Sequence, residues 1–362
     1  MIVRLHGRRH LEQLMTSFAR RAVFRSCMVF YACLSSVSGR AWTIEPVLVP
    51  LDCASQVPSA SFRVSTEFQT DNALLTTLAS YVVEKRSREL IEAQFKAWQF
   101  RDVLYLGKPR EGFYGLVAEM DDFRLVAFRG TSSYEEAIKD SLFNQVSYGP
   151  IGLAGAGHFG MRRHFEKLQG MVMEPLLQRI ERDPKPLYLV GHSLGGAMAL
   201  MYGMRLKIMG HEVAGIYTSG QPRVGNEEFY AQVKELVGDR YYRLEHVNDI
   251  TPRVPPSRDV AATFARVIPW DVAPLQAQLE GLVKKLNYHR PDGFLMLLND
   301  NQLPPEESTG NLDEIFWTSL DGALQGARSI KDVSIKISER LVEHPGMRYV
   351  CNLAEAMQRF AL

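Results

Sequence analysis

Gly191-His192-Ser193-Leu194-Gly195 is the segment whose residue types and spacing point most directly to chemistry. It follows the apolar run Leu187-Tyr188-Leu189-Val190 and precedes helix-forming residues that continue through Lys207. In that setting G-x-S-x-G describes a sharp strand-to-helix turn that exposes the serine hydroxyl. Side chains at Gly191 and Gly195 would collide with neighbouring elements. The N-terminal end of the helix places a positive dipole where negative charge develops during acyl transfer. Gly196 and Ala197 extend the small-residue run and permit close helix packing. Ser193 is therefore the expected nucleophile; a purely structural tight turn is the competing reading of the pentapeptide.

A second segment complements the first. Phe128-Arg129-Gly130-Thr131 ends a predicted strand 62 residues before Ser193. Gly130 lets the backbone bend, which leaves the Thr131 N–H to point at a substrate oxygen. With the Leu194 N–H it would form a two-donor oxyanion hole. Taken alone, a Gly-Thr pair after a strand is an ordinary turn.

The elements that must position these groups are legible as alternating periodicities. Apolar residues at three and four spacings, from Ala73-Leu74-Leu75 through Leu90-Ile91 and Phe95, predict a helix with Asp71 as its N-cap. Phe113–Glu119 and Phe123–Phe128 flank Asp121-Asp122 as a hairpin. A helix is expected over 160–181, punctuated by Pro184 and Pro186. The short run 187–190 has the character of a strand buried in a parallel sheet. A strand at Val213–Ser219, a helix at Glu227–Leu236 and a strand at Tyr241–Val247 follow. Strands alternating with helices imply an α/β fold, a mostly parallel central sheet with helices on both faces. Beyond Pro256, Leu275, Leu279, Leu282 and Leu286 form one helical stripe, residues 299–311 are loop-like, and a helical C-terminal part follows. Between Ser132 and Gly157, apolar residues mix with glycines at 149, 152, 155 and 157; both a hinged lid and a fixed, partly buried loop fit that composition.

Composition and charge exclude other classes. With 46% hydrophobic and 23% charged residues the chain is neither disordered nor low-complexity. Residues 1–40 carry seven Arg against Glu12, and without them 35 basic face 40 acidic residues, a body near −5. Such a body has no broad basic surface for phosphates, so no nucleic-acid partner is expected. Cys27, Cys33, Cys53 and Cys351 show no C-x-x-C and no metal spacing, so no metal site is expected. The apolar core 28–34, behind an Arg-rich flank, fits the h-region of a leader and is too short to span a bilayer. Residues 1–40 are read as that leader, 41–69 as an extended N-terminal segment and 70–362 as one α/β domain. The expected location is secreted or membrane-associated, with cytoplasmic as the alternative.

Four segments stand in a particular order: 128–131, 191–197, Ser219-Gly220-Gln221-Pro222-Arg223-Val224-Gly225-Asn226, and Val247-Asn248-Asp249-Ile250-Thr251-Pro252. Together they resemble the class 3 lipase family, the fungal-type triacylglycerol lipases and their plant and bacterial relatives, across roughly residues 70–355. The resemblance implies an α/β-hydrolase fold, a Ser–Asp–His triad and ester-lipid substrates met at a lipid–water interface, with no cofactor. Triacylglycerol lipase, phospholipase A1, monoacylglycerol lipase and feruloyl-type esterase share this machinery. A catalytically silent lipase-like protein that binds lipid or a partner is the alternative from another class.

On that resemblance Asp249 is the triad acid, at the end of the strand closing near Val247, and orients and stabilises the imidazolium. Asp239 competes but precedes the strand. The order Ser, acid, His requires a histidine after Asp249, and only His289 and His344 qualify. His289, in Tyr288-His289-Arg290-Pro291-Asp292-Gly293, resembles an upstream Y-x-H-x-G element and is the alternative base. His344 looks like the base of the D-H-x-x-x-Y loop, with Glu343 in place of Asp, and it stands 95 residues after Asp249, which implies an insertion around 255–335. His158-Phe159-Gly160 looks like the family's H-x-G element but reads better as a helix-start histidine with no chemical role. Secreted relatives join N- and C-terminal segments by a disulfide, so Cys53 and Cys351 are a candidate pair, although two unpaired buried thiols fit the loose spacing better.

Overall fold

Runs of four to eight residues, apolar on both sides of the chain, become a seven-stranded sheet. Its strands are β1 (Asp102–Lys108), β2 (Gly112–Glu119), β3 (Arg124–Phe128), β6 (Leu187–His192), β7 (Gly215–Ser219), β8 (Tyr241–His246) and β9 (Leu295–Leu298), in that spatial order. A separate ribbon pairs β4 (Gln145–Ser147) with β5 (Ala156–His158). β1, β2 and β3 are antiparallel neighbours, whereas β3, β6, β7, β8 and β9 run parallel. The fold is thus α/β with a mostly parallel sheet, as an α/β-hydrolase requires. The computed structural model describes residues 62–85, 87–98, 100–108, 112–130, 144–255, 287–298 and 345–360, with Cys53, Ala60 and Ser257. All of these belong to one of two compact units, Ile44–Ser257 with Asn287–Leu312 and Arg340–Leu362.

The described helices are α1 (Thr70–Glu84), α2 (Arg88–Ala97), α3 (Phe159–Arg182), α4 (Leu194–Ile208), α5 (Glu227–Val237) and α6 (Gly346–Phe360). They divide between the two sheet faces, and the pleat assigns the strand residues to each. Leu125, Ala127, Tyr188 and Val190 pack with α1, α2 and α6, while Val126, Phe128, Leu187 and Leu189 pack with α3, α4 and α5. Burial on both faces explains why β6 reads as a continuous apolar run. The extended segment before α1 is fastened across the first face by tyrosines: Tyr188 Oη accepts from the Ser65 N–H at 2.7 Å and donates to its carbonyl at 2.8 Å.

Several expectations need correction. The single helix expected from Asp71 to Phe95 is two helices. Gln69, not Asp71, is the N-cap of α1. Ser87, in an extended conformation, accepts from the Leu90 N–H and caps α2, so a local capping bond interrupts a periodicity that would otherwise continue. Strands β1, β4, β5 and β9 were not anticipated. Of the glycines at 149, 152, 155 and 157, Gly152 and Gly155 adopt positive φ between β4 and β5, and Ile151 and Leu153 are buried beside them, as the fixed, partly buried loop reading of this part of the segment expects. Residues 132–143, the rest of that segment, lie outside the described residues, as do the leader and the leucine stripe at 275–286.

Candidate active site

The turn after β6 is built by steric exclusion. Ser193 has φ 55° and ψ −127°, the only positive φ among the described non-glycine residues. A conformation of that kind stores on the order of 1–3 kcal/mol and persists only where the surroundings hold it. Here the Ser193 N–H donates to the Ser219 carbonyl at 3.0 Å, and its own carbonyl accepts from the Gly196 N–H at 3.0 Å. A methyl group on Gly191 would stand 2.2 Å from the Gly195 carbonyl carbon; one on Gly195 would stand 2.3 Å from the Phe128 carbonyl oxygen and 3.0 Å from the Gly130 nitrogen. Glycine at these two places seats the first turn of α4 on the end of β3. The Leu194 N–H, first in α4, has no carbonyl within its helix to donate to. Thr131, its expected partner donor, lies outside the described residues.

Asp249 follows β8 in a tight turn and is fully buried. Its Oδ1 accepts from the Thr251 N–H at 2.8 Å, and its Oδ2 accepts from the Tyr349 hydroxyl at 2.7 Å. The Arg253 guanidinium donates to the backbone carbonyls of both His246 and Asp249, which pins the turn from below. Tyr349 also accepts from the His246 N–H at 3.1 Å. Burial, and then the Asp249 charge, push the Tyr349 hydroxyl well above the ordinary tyrosine range, so it stays protonated and donates. Asp239, the competing acid, lies in the turn before β8 with an exposed side chain beside Arg240.

Each histidine has a distinct setting. His344 lies outside the described residues; Pro345 and α6 follow it directly. His289 precedes β9, where its N–H donates to the Gly225 carbonyl at 3.0 Å and its ring stands 6.4 Å from that of Tyr230. His158 caps α3, with Nδ1 accepting from the Gly160 and Met161 N–H groups, and this is the structural role read for it. His192 places Nδ1 2.9 Å from Glu84 Oε1.

Cys53 and Cys351 are joined by a disulfide, with Cα atoms 5.6 Å apart. The preference for two unpaired thiols is thereby corrected: the fold brings Cys53 to α6, which loose sequence spacing could not show. Cys351 and Tyr349 share α6, so the bond anchors the helix that contacts Asp249. Sequence reasoning missed Tyr349 and Glu84 as site residues. Tyr349 carried a weak signal, because a tyrosine belongs to the histidine loop pattern, though here it stands one place later than the pattern asks. Glu84 carried none. Among the described residues no cluster of three or more His, Cys, Asp or Glu could hold a metal ion.

Residues 125–259 match the family model described as Lipase (class 3). A lipase of Rhizopus niveus is 37% identical over 136 residues, 36% of this chain and 34% of the relative. A triacylglycerol lipase of Arabidopsis thaliana is 31% identical over 173 residues, 44% of this chain and 30% of the relative. Among solved structures, a lipase from Rhizopus microsporus var. chinensis aligns over 60% of this chain and 80% of that chain, at 25% identity and a TM-score of 0.44. The chain spans about a third of the length of these curated relatives.

Proposed function

From a chain that carries the class 3 lipase family's segment across residues 125–259, we propose a carboxylic ester hydrolase acting on ester lipids at a lipid–water interface. Ser193 is the nucleophile, Asp249 the acid and His344 the base, and the N–H groups of Thr131 and Leu194 hold the oxyanion. Ser193 Oγ attacks the ester carbonyl while the imidazole takes its proton. Asp249 holds the imidazole in its tautomer and stabilises its positive charge. The tetrahedral intermediate collapses as the imidazolium protonates the leaving alcohol, and water hydrolyses the acyl-enzyme by the same route.

The observation that carries this reading is the strained Ser193 backbone between β6 and α4, held by the Ser219 carbonyl and two glycines that tolerate no side chain. Strain of this kind persists only where the surroundings hold it, and it sets the largely buried Ser193 at the N-terminus of α4. The second support is the buried Asp249, whose two oxygens are held by separate donors and so kept in one orientation. A fluorophosphonate probe tests the reading. Labelling that disappears in Ser193→Ala, with hydrolysis of a lipid ester lost in parallel, is the expected result; folded protein that takes no label points to a silent binding protein. Location is proposed on two grounds, the leader-like segment 1–40 and the disulfide, a bond that persists in oxidising compartments. Mass spectrometry of the mature N-terminus tests it, and an intact Met1 in a cytosolic fraction would count against export.

A further inference from the structure

Glu84 is the last residue of α1, a helix of 15 residues with no basic residue in its last turn. A carboxylate at the negative end of a helix dipole is poorly placed unless something else repays it. What stands there is His192, the residue before Ser193, with Nδ1 2.9 Å from Glu84 Oε1; the side chains are 5% and 24% exposed for His192 and Glu84. The same carboxylate lies close to two further segments. A methyl group on Gly130, at the end of β3, would stand 2.8 Å from Glu84 Oε1 and 3.3 Å from the His192 carbonyl oxygen. One on Gly346, two residues after His344, would stand 3.4 Å from Glu84 Oε2 and 3.6 Å from His192 Nδ1. The His192 ring lies 5.7 Å from the ring of Tyr349, whose hydroxyl holds Asp249.

We propose that Glu84 and His192 form a positioning pair for the reaction. The carboxylate fastens the His192 imidazole and thereby locks together the elbow, the end of the oxyanion strand and the start of the helix that follows the base. Neither residue is a catalytic residue. Each of the three segments carries a proposed participant, and each lies beside the carboxylate. Glycine at 130 leaves room for the carboxylate there, whereas a side-chain carbon at 346 would stand at ordinary contact distance. The pair acts on the relative placement of Ser193, the oxyanion donors and the base, to which acyl transfer is sensitive: misplacement of about 1 Å costs roughly 10²-fold in rate. This inference rests on the reading of Ser193 as nucleophile.

The test uses the full chain and two readouts, the rate of fluorophosphonate labelling and the split between kcat and KM on a soluble ester. Glu84→Ala should slow labelling and lower kcat by roughly 10- to 100-fold with KM little changed, measured on folded protein by circular dichroism. Glu84→Gln keeps an oxygen for His192 and should recover most of the loss. The double variant Glu84→Ala/His192→Asn should be no slower than the worse single variant, since coupled positions are not additive. If Glu84→Ala fails to fold, His192→Asn carries the test instead: it should slow labelling and lower kcat with KM little changed, and labelling of the folded variant at the wild-type rate would overturn the pair. Labelling of folded Glu84→Ala at the wild-type rate, or multiplicative losses in the double variant, would overturn the pair alone. Wild-type protein that takes no label at Ser193 would instead remove the functional reading beneath it.

Discussion

The hydroxyl of Tyr349 donates a 2.7 Å hydrogen bond to Oδ2 of Asp249, from a helix 100 residues further along the chain. Both groups are buried, and burial together with the Asp249 charge keeps the hydroxyl protonated. The bond holds Oδ2 while the Thr251 N–H holds Oδ1, so the carboxylate is kept in one rotamer. A carboxylate that must orient an imidazole depends on that restriction.

Tyr349→Phe removes the donor and leaves a buried carboxylate oxygen one partner short. The loss should destabilise the fold by about 1–3 kcal/mol, measured by denaturant unfolding. Turnover should fall by roughly 10-fold, part of the ~10²–10⁴ that acid–base catalysis supplies. The signature is a drop in kcat with unchanged KM on a soluble ester. An unaltered kcat in stable protein would show that Asp249 needs no such restraint.

Alanine at Gly195 meets backbone, which cannot move aside as a flexible side chain would: the Phe128 carbonyl oxygen at 2.3 Å and the Gly130 nitrogen at 3.0 Å. Gly195→Ala must push α4 away from the end of β3 or prevent the turn. We expect a loss of roughly 2–3 kcal/mol or more, and fluorophosphonate labelling abolished even in protein that still folds. Gly210→Ala is the contrast. It has φ 85° but nothing within 4 Å of the added carbon, so it should lose about 1 kcal/mol from backbone strain and keep its labelling. Equal behaviour of the two variants would disprove the packing argument.

What the sequence made legible is what local chemistry determines. The elbow could be read because its five residues are contiguous and its demands are steric. The alternation of β3, β6, β7 and β8 with helices could be read because burial on both sheet faces writes apolar runs into the chain. The hairpin of β2 and β3 falls where the Asp121-Asp122 turn predicted it. Contacts between distant positions were hidden. Nothing near Tyr349 announces that its hydroxyl meets Asp249, and nothing near Glu84 announces His192, because each pairing is created by packing on α1 and α6. The break after α1 was missed for the opposite reason: Ser87, a single capping residue, outweighs an apolar periodicity spanning both helices.

The disulfide between Cys53 and Cys351 closes a sequence separation of 298 residues. On the chain-entropy account a loop of that length is worth roughly 5 kcal/mol in restricting the unfolded state. Because Cys351 lies two residues from Tyr349, reduction should also loosen α6 where it supports Asp249. Cys351→Ser should therefore unfold at markedly lower denaturant than wild type. Its activity should decline at denaturant concentrations where bulk secondary structure, followed by far-UV circular dichroism, is still intact. Coincident loss of activity and structure would confine the bond to global stability.

His158 supplies the last prediction, a dependence of stability on pH. Its Nδ1 accepts the Gly160 and Met161 N–H groups at 3.1 and 3.4 Å, and a protonated ring could not accept them. Burial lowers its pKa to about 4, against 6.5 for an ordinary histidine. His164, on the next turn of α3, is lowered to about 4 as well, first by burial and then by Lys167 and Arg129. Above pH 6.5 both rings are neutral whether the chain is folded or not, and neither contributes a slope. Between about 6.5 and 4 the unfolded chain binds protons that the folded chain refuses, so stability falls as pH falls. Each group contributes at most about 1.4 kcal/mol per pH unit in that window, with the partly accessible His164 contributing less. His158→Asn keeps a side-chain oxygen for the helix N-terminus without a titrating ring. Thermal unfolding from pH 7 to pH 4.5 should show a shallower decline for the variant than for wild type, with similar stability for the two at pH 7. Parallel declines would mean that His158 is protonated in the folded state and does not cap α3 through Nδ1.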